Sequence, residues 1–291
     1  MPIFNPLLKA VSYLPLAWLH AIGTALGWLV YFVSRSYAAR LSENLRQSGL
    51  FASEKEYRQL RRAAIVEAGK ATVELVAIWF KPDHAVARLV REVRNLALVE
   101  AACAGGRGIF VLTPHLGCFE LVGFYFGQIM PFTVLYRPPR MRWLEPVMVN
   151  GRRRGQVELA TTDIAGVRRL LKALRSGKAA GMLPDQAPRW GEGVWARFFD
   201  RPALTMTLPN RLRRATDCAT FMVFAERLPR GAGYRLHIEP LPDSVGDESQ
   251  LNRAVERIIS LQPAQYLWSY DRYKIPGGGA ADVLDAPRTS P

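Results

Sequence analysis

The sequence contains little cysteine, little histidine and fewer acidic than basic residues. Its three cysteines, Cys103, Cys118 and Cys218, are odd in number and scattered, and no CxxC pair occurs. This pattern argues against a disulfide framework and a cysteine-based zinc site, and it fits a reducing compartment. Only 25 acidic residues stand against 39 lysines and arginines, which gives a formal net charge of +14.

The charge imbalance is large enough to indicate a partner. A basic solubilising surface explains a small surplus of lysine and arginine. A surplus of this size favours an acidic partner, such as a nucleic acid, an anionic membrane surface or an acidic carrier protein. Apolar residues make up 49% of the 291-residue chain, so an ordinary folded domain is expected.

Formal charge is absent from one long segment, residues 10–34, which reads AVSYLPLAWLHAIGTALGWLVYFVS. At about 1.5 Å per residue, a helix of this length can cross a hydrocarbon core of about 30 Å. The apolar run is too long for a secretory signal, and the basic residues that follow it place the large domain in the cytoplasm. Residues 1–35 are therefore predicted to be a membrane anchor. Pro15 and Gly23 weaken a spanning helix, so an interfacial anchor is the alternative.

The rest of the chain predicts one α/β domain over residues 36–275, with a mostly parallel central sheet flanked by helices. Residues 42–80 show helical spacing of apolar positions. The predicted strands are 108–113, 132–137, 156–161, 179–184, 219–226 and 234–241, and the predicted helices between them are 118–130, 164–176 and 203–215. The composition of residues 276–291 predicts a disordered tail.

Polar residues follow several of the predicted strands, where open α/β folds bind their ligands. His115 comes directly after Pro114 at the end of the strand 108–113, and Glu120 lies in the first turns of the next helix. A histidine in this turn can act as a general base if a carboxylate accepts a hydrogen bond from its other ring nitrogen. A single pair at this spacing is weak evidence by itself, because a polar loop gives the same pattern.

Three consecutive arginines, residues 152–154, precede the strand 156–161. Guanidinium groups at a strand end can hold an anionic substrate or an oxyanion. A solvated basic surface run is the alternative interpretation. Asp185, at the end of the strand 179–184, is either a turn residue or an acid of the site.

Six segments, taken in order and at similar separations, resemble the bacterial lipid A late acyltransferase family, which belongs to the lysophospholipid acyltransferase superfamily. The resemblance extends from the N-terminal apolar segment to about Lys274. The segments are PHLGCFEL, LYRPPR, NGRRRG, GMLPDQAP, ARFFDRPALT and PAQYLWSYDRYK.

The resemblance implies an acyltransferase at the bacterial inner membrane, with its catalytic domain on the cytoplasmic side. Such an enzyme transfers a fatty acyl chain from acyl carrier protein to a hydroxyl of a lipid A precursor, without a cofactor, a metal or a nucleic acid partner. The family motif HX4(D/E) assigns the general base to His115 and the orienting acid to Glu120.

Substrate-binding roles are predicted for four further residues, three of them from the same resemblance. The arginine pair of the family falls on Arg152 and Arg154, and the strand-end acid falls on Asp185. Arg137, in the segment LYRPPR, is expected to line the site.

Two positions depart from the family pattern and leave alternatives open. Cys118-Phe119 stand where the family has Asn-Trp, and Tyr270-Asp271 stand where it has His-Arg. The second departure allows a different acceptor, such as a glycerophospholipid or an aminolipid. Cys118 also allows a covalent mechanism through an acyl-thiol intermediate. A non-catalytic, membrane-anchored protein that binds anionic lipid is the alternative from another functional class.

Overall fold

The computed structural model describes residues 4–139 and 141–275, so the tail predicted over 276–291 lies outside the described residues. The helices are α1 (Phe4–Ser12), α2 (Leu16–Val33), α3 (Arg35–Gln47), α4 (Glu54–Phe80), α5 (Asp83–Ala87), α6 (Leu96–Ala104), α7 (Phe119–Ile129), α8 (Glu145–Arg152), α9 (Ile164–Arg175), α10 (Leu208–Ala215) and α11 (Glu248–Leu261). The strands are β1 (Val90–Arg94), β2 (Ile109–Leu112), β3 (Phe132–Tyr136), β4 (Val157–Thr161), β5 (Ala179–Met182), β6 (Gly193–Phe198), β7 (Arg201–Met206), β8 (Ala219–Arg227) and β9 (Tyr234–Pro240).

Seven strands form one mixed sheet in the order β1-β9-β8-β2-β5-β3-β4. The five strands from β8 to β4 are parallel to one another, whereas β9 is antiparallel to β8 and pairs in parallel with β1 at the edge. The predicted α/β class with a mostly parallel sheet and flanking helices is therefore confirmed. All six predicted strands are present, and β1 was not predicted.

The central strand β2 shows how the sheet is buried on both faces. All four of its residues are buried, which is typical of a parallel strand covered on both sides. Ile109 and Val111 pack into one apolar layer, which includes α7, whereas Phe110 and Leu112 pack into the opposite layer with α9 and α11. The carboxyl end of β2 therefore emerges in the middle of a two-sided core.

The prediction of a helix over 203–215 is wrong for its first five residues. Arg201–Met206 is the strand β7, which forms an antiparallel hairpin with β6, and the helix begins only at Leu208. The hairpin turns at Phe199 and Asp200, both of which have a positive φ. Two-residue hairpin turns need this backbone conformation and usually mark it with glycine or asparagine, which this turn lacks.

Helix α2 is the one helix among the described residues that is long and apolar enough to cross a membrane. By itself, this length and composition are weak evidence, because a core helix meets the same criterion. The helix packs along α4, and 28% of its residues are buried within the protein.

Candidate active site

The register of the sheet brings His115 and Asp185 together. Strands β2 and β5 are parallel neighbours in which Leu112 pairs with Met182. The backbone N–H of Thr113 then donates to the carbonyl of Met182 at 3.1 Å, so the pairing continues past the ends of the strands. His115 and Asp185 each stand three residues beyond the paired positions, which places them side by side at the carboxyl edge.

The imidazole of His115 is held at both ring nitrogens. Nδ1 lies 2.9 Å from Asp185 Oδ1, and the backbone N–H of His115 donates to Asp185 Oδ2 at 2.9 Å. Since the carboxylate can only accept, Nδ1 carries the proton and Nε2 keeps its lone pair. The side-chain amide of Gln186 lies 3.1 Å from that Nε2. The arrangement leaves Nε2 as a base with a fixed direction.

Asp185 is almost completely buried, at 2% exposure, and remains ionised. Burial by itself raises the pKa of a carboxyl group, but the contacts with His115 outweigh it and lower the pKa of Asp185 below its ordinary value. The C-terminal segment supports both sides of this pair. The hydroxyl of Tyr270 accepts from the backbone N–H of Ala187 at 3.1 Å, and the backbone N–H of Leu267 donates to the carbonyl of His115 at 3.0 Å.

The partner of His115 differs from the sequence prediction. Glu120 was expected to accept a hydrogen bond from His115, but in the structure Asp185 occupies that position. Glu120 lies in the first turn of α7 and forms a bidentate ion pair with Arg152, with one bond at 2.9 Å, and it accepts a bond from Trp79 Nε1 at 3.2 Å. Glu120, which is close to His115 along the chain, thus points towards α4 and α8. Asp185, which is close to His115 in the sheet, reaches the imidazole.

The remaining predicted residues have different surroundings. Arg152 and Arg137 line the cavity beside His115. Arg154 instead binds the end of α4 and the start of α5, where it pairs with Asp83 and donates to the carbonyl of Lys81 at 2.7 Å. These contacts are structural, and a role for Arg154 in binding substrate stays a prediction.

A cavity of about 1100 Å³ opens in front of His115. One part of its wall comes from α7, β3 and β4, and another part comes from α9 and α10 across the sheet. The apolar side chains of the first part include Val122, Phe124, Phe132, Val157 and Leu159, and those of the second include Val167, Leu171, Leu208 and Leu212. Most of the wall is apolar, so the cavity suits a hydrocarbon chain better than a polar metabolite.

The rim of the cavity is basic. It carries four exposed arginines, Arg137, Arg168, Arg189 and Arg211. Three acidic residues also line the cavity, but Glu120 is already paired with Arg152 and Asp163 caps the start of α9, so the arginines outnumber the acids even with the exposed Glu192 included. Such a rim attracts an anionic group to an apolar interior. Within residues 4–139 and 141–275, no group of three or more histidine, cysteine or acidic side chains is arranged to hold a metal ion.

Behind the His115 turn lies a second charged cluster, which the sequence analysis missed. Arg227, at the end of β8, forms a bidentate pair with Glu74 of α4, with both bonds at 2.7 Å, and a further pair with Glu67 at 3.1 Å. It also donates to the carbonyl of Gly117 at 2.6 Å, and the Tyr234 hydroxyl donates to Glu74 at 2.9 Å. The sequence signal that could have indicated this cluster is Glu74, the lone acidic residue in the apolar stretch ATVELVAIWF.

Cys118 faces this sealed cluster rather than the cavity. Its side chain is 1% exposed, and burial raises the pKa of its thiol well above the ordinary value, with a further contribution from Glu74. A buried neutral thiol is a poor nucleophile. The geometry therefore argues against the covalent mechanism that Cys118 left open in the sequence.

Comparisons with known proteins identify the family of the chain. The family profile described as Bacterial lipid A biosynthesis acyltransferase matches residues 3–275. The chain is 28% identical over 274 residues to the lipid A biosynthesis lauroyltransferase of Escherichia coli (strain K12), a match that covers 91% of this chain and 88% of the relative.

Two further relatives match a shorter part of the chain. The lipid A biosynthesis palmitoleoyltransferase of Escherichia coli (strain K12) and a lipid A biosynthesis acyltransferase of Shigella flexneri are each 31% identical over 212 residues. Each match covers 71% of this chain and 68% of the relative.

Proposed function

We propose that this chain, which belongs to the bacterial lipid A biosynthesis acyltransferase family and is therefore an acyltransferase, transfers a fatty acyl chain from acyl carrier protein to a hydroxyl of a lipid A precursor. The observation that carries the proposal is the geometry of His115. Its Nδ1 is fixed by buried Asp185, and its Nε2 faces a large apolar cavity with a basic rim.

The proposed reaction needs one general base. Nε2 of His115 takes the proton of the acceptor hydroxyl, and the alkoxide forms a C–O bond with the thioester carbonyl. The Asp185 carboxylate stabilises the resulting imidazolium. When the tetrahedral intermediate collapses, the C–S bond breaks and the leaving thiolate takes the proton back from the imidazolium. An arginine of the rim or backbone N–H groups stabilise the oxyanion.

The substrates fit different parts of the site. The acyl chain occupies the apolar interior, while the phosphates of a lipid A precursor meet the arginines of the rim. Acyl carrier protein is acidic, so the net charge of +14 favours its approach as well. We assign the protein to the cytoplasmic side of the bacterial inner membrane, attached through its N-terminal helices, because a lipid acceptor is found at a membrane surface and the apolar helix α2 suits one.

A different lipid acceptor, such as a glycerophospholipid or an aminolipid, is the second candidate. It is favoured by Tyr270, which stands where the family has histidine and whose hydroxyl is committed to the backbone of Ala187. Because the Tyr270 hydroxyl supports the loop that carries Asp185, we expect Tyr270 to contact the acceptor differently from the histidine that the family has at this position.

The test uses purified protein with acylated acyl carrier protein and, in separate reactions, a lipid A precursor and a lysophospholipid. We expect transfer to the lipid A precursor and a loss of about 10²- to 10⁴-fold in the His115→Ala variant, the range typical of a general base. His237→Ala serves as the matched control, since His237 lies away from the cavity and pairs with Glu226 at 2.7 Å. Undiminished transfer by His115→Ala would overturn the mechanism, and transfer only to the lysophospholipid would favour the second candidate.

A further inference from the structure

Helix α2 is docked on the globular domain along one face. Its glycines Gly23 and Gly27 meet Gly69 of α4 so closely that a Cβ added to Gly69 would lie 2.0 Å from the carbonyl oxygen of Gly23. A Cβ added to Gly27 would lie 2.4 Å from the carbonyl oxygen of Ile65. Small residues at these positions let the two helix backbones touch, which is a specific packing arrangement rather than a loose contact.

Both ends of α2 are held by the same domain. At its N-terminal end, Ala17 packs against Gly231 in the loop between β8 and β9, and Lys81 Nζ donates to the carbonyl of Leu14 at 3.2 Å. At its C-terminal end, the hydroxyls of Tyr31 and Ser42 lie 3.2 Å apart. Over its 18 residues α2 rises about 27 Å, close to the thickness of a hydrocarbon core. A helix that crossed the bilayer would have these ends on opposite sides, so a docked α2 cannot cross.

The helix α4 also forbids a spanning position. It carries Glu67, Lys70 and Glu74 along the segment that faces α2, and His20 of α2 lies 3.5 Å from Glu74. Moving α2 into the hydrocarbon core would either carry these charges with it or separate α2 from α4. The first is costly in lipid, and the second exposes the tightly packed glycine face.

The opposite face of α2 is apolar and bare. Trp18, Ile22, Leu29 and Phe32 lie at helical spacing, and their exposures reach 66% for Trp18 and 74% for Phe32. The exposed positions of α2 carry no charge, and Tyr13, just before the helix, extends the stripe towards α1. A continuous apolar stripe with aromatic residues marks a surface that is covered in the working protein.

The surroundings of the stripe indicate what covers it. Basic residues flank both ends, with Lys9 before α2 and Arg35 and Arg40 after it, and all three are exposed. Aromatic residues on the apolar face and cations at the edges are the composition of a helix that lies in the headgroup region of an anionic bilayer. A cleft lined by Lys9 shares Trp79 and Gly151 with the wall of the large cavity. The cleft beside α1 therefore borders the wall of the cavity that contains His115.

We infer that α1 and α2 lie in the plane of the bilayer interface, on an anionic lipid surface, and that α2 does not cross the membrane. The inference rests on the membrane attachment proposed above and specifies that this attachment is interfacial rather than membrane-spanning. The protein is then held by one face of the N-terminal helices, and the cavity opens beside the lipid headgroups.

The first test locates the N-terminal end. In a Cys103→Ser background, Lys9→Cys is treated with a membrane-impermeant maleimide in intact spheroplasts and in inverted membrane vesicles, and Lys178→Cys on the globular domain is the matched control. Both positions are exposed lysines, and the other two cysteines are buried. We expect both positions to be labelled in inverted vesicles and neither in spheroplasts. Labelling of position 9 in spheroplasts would show that α2 crosses and would overturn the inference.

The second test addresses the stripe. Full-length protein with Trp18→Gln, Ile22→Gln and Phe32→Gln is sedimented with vesicles of phosphatidylglycerol and phosphatidylethanolamine. We expect vesicle binding to fall about tenfold or more, because three large apolar side chains are removed from the lipid contact. The matched triple control, Leu98→Gln, Val194→Gln and Leu261→Gln, changes exposed apolar residues elsewhere and is expected to bind normally.

Two other outcomes contradict the inference. Unchanged vesicle binding by the stripe variant excludes the stripe as the membrane contact. If the variant converts a dimer into a monomer while binding vesicles normally, a second copy of the chain covers the stripe. Neither test measures catalysis, so the His115→Ala variant should behave like the unsubstituted protein in both. A protein that fails in the acyl-transfer assay but passes both membrane tests would therefore contradict the proposed reaction and not the inference on α2.

Discussion

Two buried carboxylates lie on opposite sides of the turn from Thr113 to Glu120, each paired with a cationic or ionisable partner. Asp185 holds His115 on the side that faces the cavity, whereas Glu74 holds Arg227 on the sealed side. Both carboxylates are at most 2% exposed. The difference lies in the partner, because an imidazole can give up and regain a proton near neutral pH, while a guanidinium keeps its charge.

Each pair is suited to its location. Nε2 of His115 faces the cavity, and the side-chain amide of Gln186 is its hydrogen-bonding neighbour among the described residues, so a substrate can reach it. The guanidinium of Arg227, by contrast, donates hydrogen bonds to Glu74, Glu67 and the carbonyl of Gly117. Burial opposes the charge on Glu74, but Arg227 and His20 together outweigh it and lower the pKa of Glu74 to about 2. The first pair can transfer a proton, and the second fixes the turn that carries the first.

The largest effect on catalysis is expected when the cavity-side pair of His115 and Asp185 is changed by a substitution that keeps the side-chain volume. Asp185→Asn should lower kcat by about 10²- to 10⁴-fold, because an amide neither stabilises the imidazolium nor fixes the proton on Nδ1. Glu120→Gln is the matched carboxylate-to-amide change on the other side of the cavity, and we expect a clearly smaller loss. The measurement is acyl transfer at saturating substrate, with the melting temperature of each variant as the folding control. Equal losses in the two variants would restore Glu120 as the partner of His115 during the reaction.

A substitution in the sealed pair of Glu74 and Arg227 should lower the stability of the protein. Arg227→Met leaves Glu74 buried without its main partner, so we expect the free energy of unfolding to fall by about 3–5 kcal/mol. The double variant Glu74→Leu/Arg227→Met removes both charges and should recover most of that loss, because the uncompensated charge is gone. Urea unfolding of the single and double variants measures both values. A single variant that loses less than about 1 kcal/mol would show that the pair does not hold the turn.

The two pairs show which features of the protein the sequence predicts: it predicts the strands, which are local in the chain, but not the contacts between distant residues. Alternating apolar and helical segments predicted six strands and the α/β class, because these features are local in the chain. The partner of His115 depends on strand order. Asp185 is 70 residues away in the chain but adjacent in the sheet, since β2 pairs with β5. Glu120 seemed the natural partner only because it is close along the chain.

The errors have the same physical origin. A helix was predicted to begin at residue 203, but residues 203–206 belong to the strand β7, because β6 pairs with it across the turn at Phe199 and Asp200. The pair between Glu74 and Arg227 joins residues 153 positions apart. Local periodicity contains no information on either contact. Only the presence of the charged Glu74 in an otherwise apolar stretch could have indicated that a buried partner exists.

The smallest effect is expected at Cys118, which tests whether the two sides of the turn are separate. Its thiol is buried beside Glu74 and Arg227, so Cys118→Ala removes a buried atom but no reacting group. We expect a loss of stability of about 1 kcal/mol and acyl transfer within about twofold of the unsubstituted enzyme. Cys218→Ala, also buried but distant from the turn, is the control for the cost of removing a thiol. If Cys118→Ala retained its melting temperature but lost transfer at least as severely as Asp185→Asn, the thiol would take part in the chemistry. The sealed side would then belong to the active site, and the two pairs would no longer have separate functions.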